Sequence, residues 1–154
     1  MEARELSKRD QDLLNAYNSA LEQASYPFLL CEVIQKAISM PAKQFYCAVR
    51  GVYETIREIE RGQRPTFSCP ERERLVMDIY EKVIVLRLKK PDVHLKHIVE
   101  EVIDSPAPEF YLKETSAIVI LHHIKKQAKV NEIIKNISRN ERIERRKNRQ
   151  RGLI

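Results

Sequence analysis

The chain has 154 residues, 43% of them hydrophobic and 32% charged, with three glycines, three cysteines and no tryptophan. This is the composition of a folded, well-solvated protein with one ordinary core or two small ones sharing an interface. So few glycines leave little material for the tight turns of a many-stranded sheet, and an all-α fold is expected. The formal net charge of +6 is unevenly spread, and that distribution matters below.

The opening Met-Glu-Ala-Arg-Glu carries no apolar stretch of the secretory kind. The longest apolar runs, such as Ala117 to Leu121, are five residues, against the ~20 needed to cross a bilayer. No membrane segment is expected. The odd set Cys31, Cys47 and Cys69 has no Cys-x-x-Cys pair, which points to free thiols in a reducing, cytoplasmic setting.

Leu13, Leu14, Tyr17 and Leu21 recur at helical spacing and predict a first helix from about Ser7 to Ala24. Pro27 suits the first turn of a second helix, which carries Leu30, Val33, Ile34, Ala37 and Ile38 on one side and ends ahead of Pro41. A third helix is predicted from about Ala48 to Arg61, with Val52, Ile56 and Ile59 facing in and Gly62 as its stop. Ser68 is a candidate cap for a fourth helix with Pro70 and Glu71 in its first turn. Val83 to Leu88 is rich in β-branched residues and would also suit a strand, but no partner strand is apparent, so helix is preferred. Pro91 is expected to start the fifth helix and Pro106 to end it. The sixth should begin near Glu114 and run well past Lys126, since no Gly or Pro interrupts 109–151.

A repeat underlies these elements. Val33 to Tyr46 laid over Ile98 to Tyr111 matches Ile38, Pro41, Ala42, Phe45 and Tyr46 with Ile103, Pro106, Ala107, Phe110 and Tyr111, an offset of 65 without gaps. Further on, Ile56 meets Leu121 and Ile59 meets Ile124. Upstream the match loosens, Pro27 falling near Pro91 and Tyr17 near Tyr80. The expected architecture is two tandem three-helix units, 1–64 and 65–128, followed by a basic helical extension, 129–154. In each Pro-Ala-x-x-Phe-Tyr connector the Phe should plug a helix corner while the Tyr keeps its hydroxyl wet at the rim.

From Lys125 to Ile154 there are eleven Lys and Arg and three Glu, a net +8, whereas the preceding 124 residues carry 17 basic and 19 acidic side chains, a net −2. Val130, Ile133, Ile134 and Ile137 form one helical face suited to docking on the body or to self-association. Arg139, Arg142, Arg145, Arg146, Lys147, Arg149 and Arg151 follow with almost nothing to bury. Such a segment gains affinity for phosphates through counterion release. The plain alternative is a solvated, frayed helix that aids solubility.

No phosphate-binding glycine loop occurs. His94 with His97, and His122 with His123, lack the spacing of a metal site, so neither metal nor cofactor is expected. Cys31 and Cys47 read as small buried hydrophobes rather than nucleophiles. Catalysis is not expected.

The block Ser105-Pro-Ala-Pro-Glu-Phe-Tyr-Leu-Lys-Glu-Thr-Ser-Ala117 resembles a motif of small, uncharacterised helical proteins of gut bacterial and phage genomes. There a Pro-Ala-Pro-x-Phe-Tyr-Leu segment precedes Ser-Ala and a helix. The resemblance covers most of residues 30–124; it implies a fold and a setting, cytoplasmic or virion-associated, but no activity. That family offers Ser or Thr as a cap after Phe-Tyr-x, where this chain has Ala48 and Lys113.

Two functional expectations follow. One is a non-enzymatic nucleic-acid-binding accessory protein whose neutral body positions a basic arm for backbone contact of low specificity. The helix–connector–helix of each copy also resembles a helix-turn-helix. Its connector is too long, however, and the following helix mixes Arg50, Arg57 and Arg61 with Glu54, Glu58 and Glu60. The other is a structural or assembly adaptor acting through helix–helix self-association.

Overall fold

The computed structural model describes residues 6–25 and 27–152. They form six helices: α1 (Lys8–Gln23), α2 (Leu30–Ile38), α3 (Val49–Glu60), α4 (Pro70–Lys89), α5 (Leu95–Ile103) and α6 (Glu114–Gln150). The all-helical expectation holds, and Val83 to Leu88 lies inside α4. No helix among the described residues is long and apolar enough to cross a membrane.

Local chemistry accounts for most helix ends. Ser7 caps α1, its hydroxyl accepting the Asp10 N–H at 3.2 Å. Gly62, at φ +79°, supplies the left-handed residue just past α3. Pro70 occupies the first turn of α4 as expected, but the capping position falls on Cys69, so Ser68 is not the cap. Pro27 and Pro91 also sit outside the helices they were expected to start, in the turns before Leu30 and Leu95. His94 caps α5 instead, its Nδ1 accepting the Lys96 N–H at 3.1 Å.

The helices do not group as three consecutive ones and then three more. α1 packs on α2, and both receive α6; α4 packs on α5, and both receive α3. Each three-helix cluster therefore takes its third member from the other half of the sequence. One continuous core joins them, running from Leu13 and Val33 through Phe45 and Ile98 to Leu121 and Ile124.

The two connectors meet between the clusters. Ala42 and Ala107 exchange both backbone hydrogen bonds, at 2.9 and 3.0 Å, as an isolated antiparallel bridge. The Phe45 N–H donates to the Ile103 carbonyl, and the Phe110 N–H to the Ile38 carbonyl, each at 3.0 Å. Those carbonyls belong to the last residues of α5 and α2, where an α-helix leaves its C=O groups without an internal partner. Each connector thus satisfies the end of the other half's helix. Phe45 stacks on Tyr111 and Tyr46 on Phe110, with ring centroids 6.0 and 6.2 Å apart.

Phe45, only 1% exposed, and Phe110 plug the corners as expected. Their tyrosine neighbours differ: Tyr111 is buried, whereas Tyr46 is half-exposed at the rim, and each hydroxyl has a carboxylate partner. Tyr46 donates to Asp12 at 2.6 Å and Tyr111 to Asp78 at 2.5 Å. Burial, reinforced by the adjacent carboxylate, pushes both phenols well above their ordinary value. Tyr111 holds φ +55°, a left-handed conformation that costs a side-chain-bearing residue about 1–2 kcal/mol. Its stacking, its burial and its bond to Asp78 hold it there.

Candidate nucleic-acid interface

The basic segment is the distal part of α6, a 37-residue helix. Ala117, Leu121 and Ile124 anchor its first turns in the core. Gln127, Val130, Asn131 and Ile134 are half-buried, and Leu6, Ser7 and Asp10 line a shared depression with His123, Gln127 and Val130. From Lys135 to Gln150 every side chain except Asn148 is exposed. At 1.5 Å per residue this arm is about 24 Å long.

The arm is helical because nothing in it breaks a helix and most of its residues favour one. Arg and Lys in the final turn also sit well beside the negative end of the helix dipole. It stops at Gly152, φ +69°.

Helical geometry sorts the cations. Lys135, Arg139, Arg142, Arg146 and Arg149 recur at steps of four, three, four and three, which places them in one row along the arm. Arg145 flanks that row. Lys147 and Arg151 point elsewhere, while Glu141 and Glu144 occupy the other side. Of the seven expected contact residues, five therefore share a side, and Lys135 joins them. Among the described residues none of these cations is ion-paired. Like charges three or four apart weaken a helix by about 0.2–0.5 kcal/mol per pair, and a polyanion along the row would reverse that sign.

The isoleucine face is split. Val130 and Ile134 are half-covered, whereas Ile133 and Ile137 are 57% and 51% exposed. They lie on the side of α6 away from the arginine row.

Among the described residues no group of three or more His, Cys, Asp and Glu is arranged to hold a metal. His94 is occupied as a helix cap and rests against Tyr53, ring centroids 6.2 Å apart. Cys31, expected to be buried, is exposed at the start of α2, because the face of that helix that packs is Val33, Ile34 and Ala37. Cys47 is half-buried, and burial raises its thiol above the ordinary value.

Sequence reasoning missed Asp12 and Asp78, which look like ordinary members of charged helices; only the fold brings a tyrosine to each. It also missed the exposed apolar side of α4, described below. No family model matches this chain, and no curated protein or solved structure matches it either.

Proposed function

We propose that this is a non-enzymatic nucleic-acid-binding protein whose two related halves form a body from which the α6 arm reaches along a phosphate backbone. The observation that carries the reading is the unpaired row Lys135, Arg139, Arg142, Arg146 and Arg149 on an exposed, continuous helix. A row of cations on one side of a rigid rod can neutralise successive phosphates without reading bases. The relation between the halves is supported by contacts that recur 65 positions apart: Phe45 to Ile103 with Phe110 to Ile38, and Ala42 with Ala107. Residues 1–124 have a net charge of −2, so the excess positive charge lies in residues 125–154.

Fluorescence anisotropy with labelled DNA and RNA duplexes and single strands, over a salt series, tests this. Five neutralised phosphates predict a log–log salt slope of about −4 to −5 on duplex DNA, with little sequence preference. A chain ending at Ser138 should lose most of that affinity and slope. Equal binding by the full and shortened chains would exclude the arm as the contact.

A further inference from the structure

α4 has a second, outward side. Met77, Ile84, Val85 and Leu88 are exposed, Leu88 to 81%, while Leu75, Val76, Ile79 and Val83 face the core. Met77, Glu81, Ile84 and Leu88 follow steps of four, three and four, so they form one stripe, with Val85 and Lys89 at its edge. A shallow groove beside it, between α4 and α5, is lined by Val85, Leu86 and Val102.

α1 shows that the fold does not require this. Asp12 and Asp78 each accept the hydroxyl of a connector tyrosine, which sets α1 against α4 at an offset of 66. Leu13 and Tyr17 then fall on Ile79 and Val83, all buried. Outward, Met77, Ile84, Val85 and Leu88 fall on Gln11, Asn18, Ser19 and Glu22. One helix presents a polar outer side and its counterpart an apolar one, so the difference calls for a partner on α4.

The chain itself carries a matching surface. On the outer side of α6, Lys126 and Lys129 precede the exposed Ile133 and Ile137, and Glu141 and Glu144 follow. On α4 the order is inverted in charge: Glu73 and Glu81, then Ile84, Val85 and Leu88, then Lys89. All of these charged side chains are exposed, and among the described residues none is ion-paired. Setting the helices parallel, with Ile133 on Ile84 and Ile137 on Leu88, sets Lys129 beside Tyr80, one position from Glu81, and Lys126 beside Met77, midway between Glu73 and Glu81. The antiparallel setting instead places Glu141 one position from Glu81 and Glu144 midway between Glu73 and Glu81, like against like. Charge order therefore selects the parallel arrangement.

Within one chain α6 packs on α1 and α2 and does not touch α4. We infer that the occupant of the α4 stripe is α6 of a second copy, laid parallel over residues 126–144. Two copies related by a two-fold axis bury both stripes at once and close the assembly. The arginine row lies on the opposite side of α6 and stays open, so each assembly presents two arms. This self-association needs no nucleic acid and stands whether or not the arm binds one.

Light scattering on the full chain, free of nucleic acid, from about 1 to 200 µM, decides it at protein concentrations where a specific interface of micromolar Kd is populated. The expected result is a dimer that becomes monomeric with either Leu88→Glu or Ile137→Glu, both folded by circular dichroism. Glu81→Lys alone should weaken the dimer at least several-fold, and adding Lys129→Glu should restore it. A monomer over the whole range overturns the proposal. So does a dimer indifferent to both substitutions, or one broken by Ile137→Glu but not by Leu88→Glu, which would mean that α6 pairs with another α6.

Discussion

Ala42 and Ala107, 65 positions apart, bond to each other through both their N–H and their C=O groups. Both are almost fully buried, so no water waits to replace a lost partner. Substituting Ala107 by proline removes the N–H that donates to Ala42 and leaves a buried carbonyl unpaired. A loss of about 1–3 kcal/mol is expected, with any misfit of the proline ring adding to it. A lower urea midpoint at unchanged slope would establish it.

The two tyrosine–aspartate pairs are not equivalent. Asp12 also accepts the Lys43 N–H at 2.8 Å, so Tyr46→Phe leaves that carboxylate one donor. Tyr111→Phe removes the one hydrogen bond found to the Asp78 side chain among the described residues. Hydrogen bonds to charged groups contribute about 1.5–3 kcal/mol. Tyr111→Phe is therefore expected to cost the upper part of that range and Tyr46→Phe the lower part, in parallel urea titrations.

The same pairs impose a pH dependence. Both phenols are raised above 10.0 in the folded chain, so the native state holds two protons that the unfolded chain releases as pH passes about 10. Their contribution is complete below that pH and is lost as pH rises through the folded values. Stability measured from pH 9 to 11 should fall in the natural chain. The Tyr46→Phe, Tyr111→Phe double variant should show a flatter profile, and identical profiles would refute the assignment.

Two glycines should respond oppositely to alanine. Gly62 has open space around its missing Cβ but sits at φ +79°, so Gly62→Ala is expected to destabilise by about 1 kcal/mol. Gly51 lies inside α3, and an added Cβ meets the end of the Arg72 side chain at 3.2 Å, a group able to swing aside. Gly51→Ala should stabilise by about 0.5–1 kcal/mol. Thermal midpoints of the two variants check both signs.

Shortening the chain after Ser138 should leave the body intact. The last buried residue of α6 is Ile124 and the last half-buried one before the arm is Ile134. The change in unfolding free energy is expected to stay within about 0.5 kcal/mol, as for surface changes generally. Calorimetry that showed a larger loss would mean that the arm helps to hold the body.

Residues whose role depends on near neighbours were legible in the chain alone. Leu13, Val33, Ile56 and Ile124 report helical faces through spacing, and Pro41 and Gly62 mark ends through backbone geometry. The absence of any Gly or Pro from Glu109 to Arg151 sets the long α6. The arm's charge and the Ala-x-x-Phe block are equally plain. What spacing does not carry is which helix meets which. The crossing of α3 and α6 into opposite clusters, the capping of Ile38 and Ile103 by Phe110 and Phe45, and the meeting of each tyrosine with its aspartate all join residues tens of positions apart. A periodic pattern says that a side chain must be covered but does not name its cover. For the same reason the outward stripe of α4 and the exposure of Cys31 emerged only once the packed faces were known, since the apolar residues of both helices extend beyond the side that packs. The basic row was written in the chain; that it stands clear of the body, unpaired, was decided by where α6 leaves the core at Ile124.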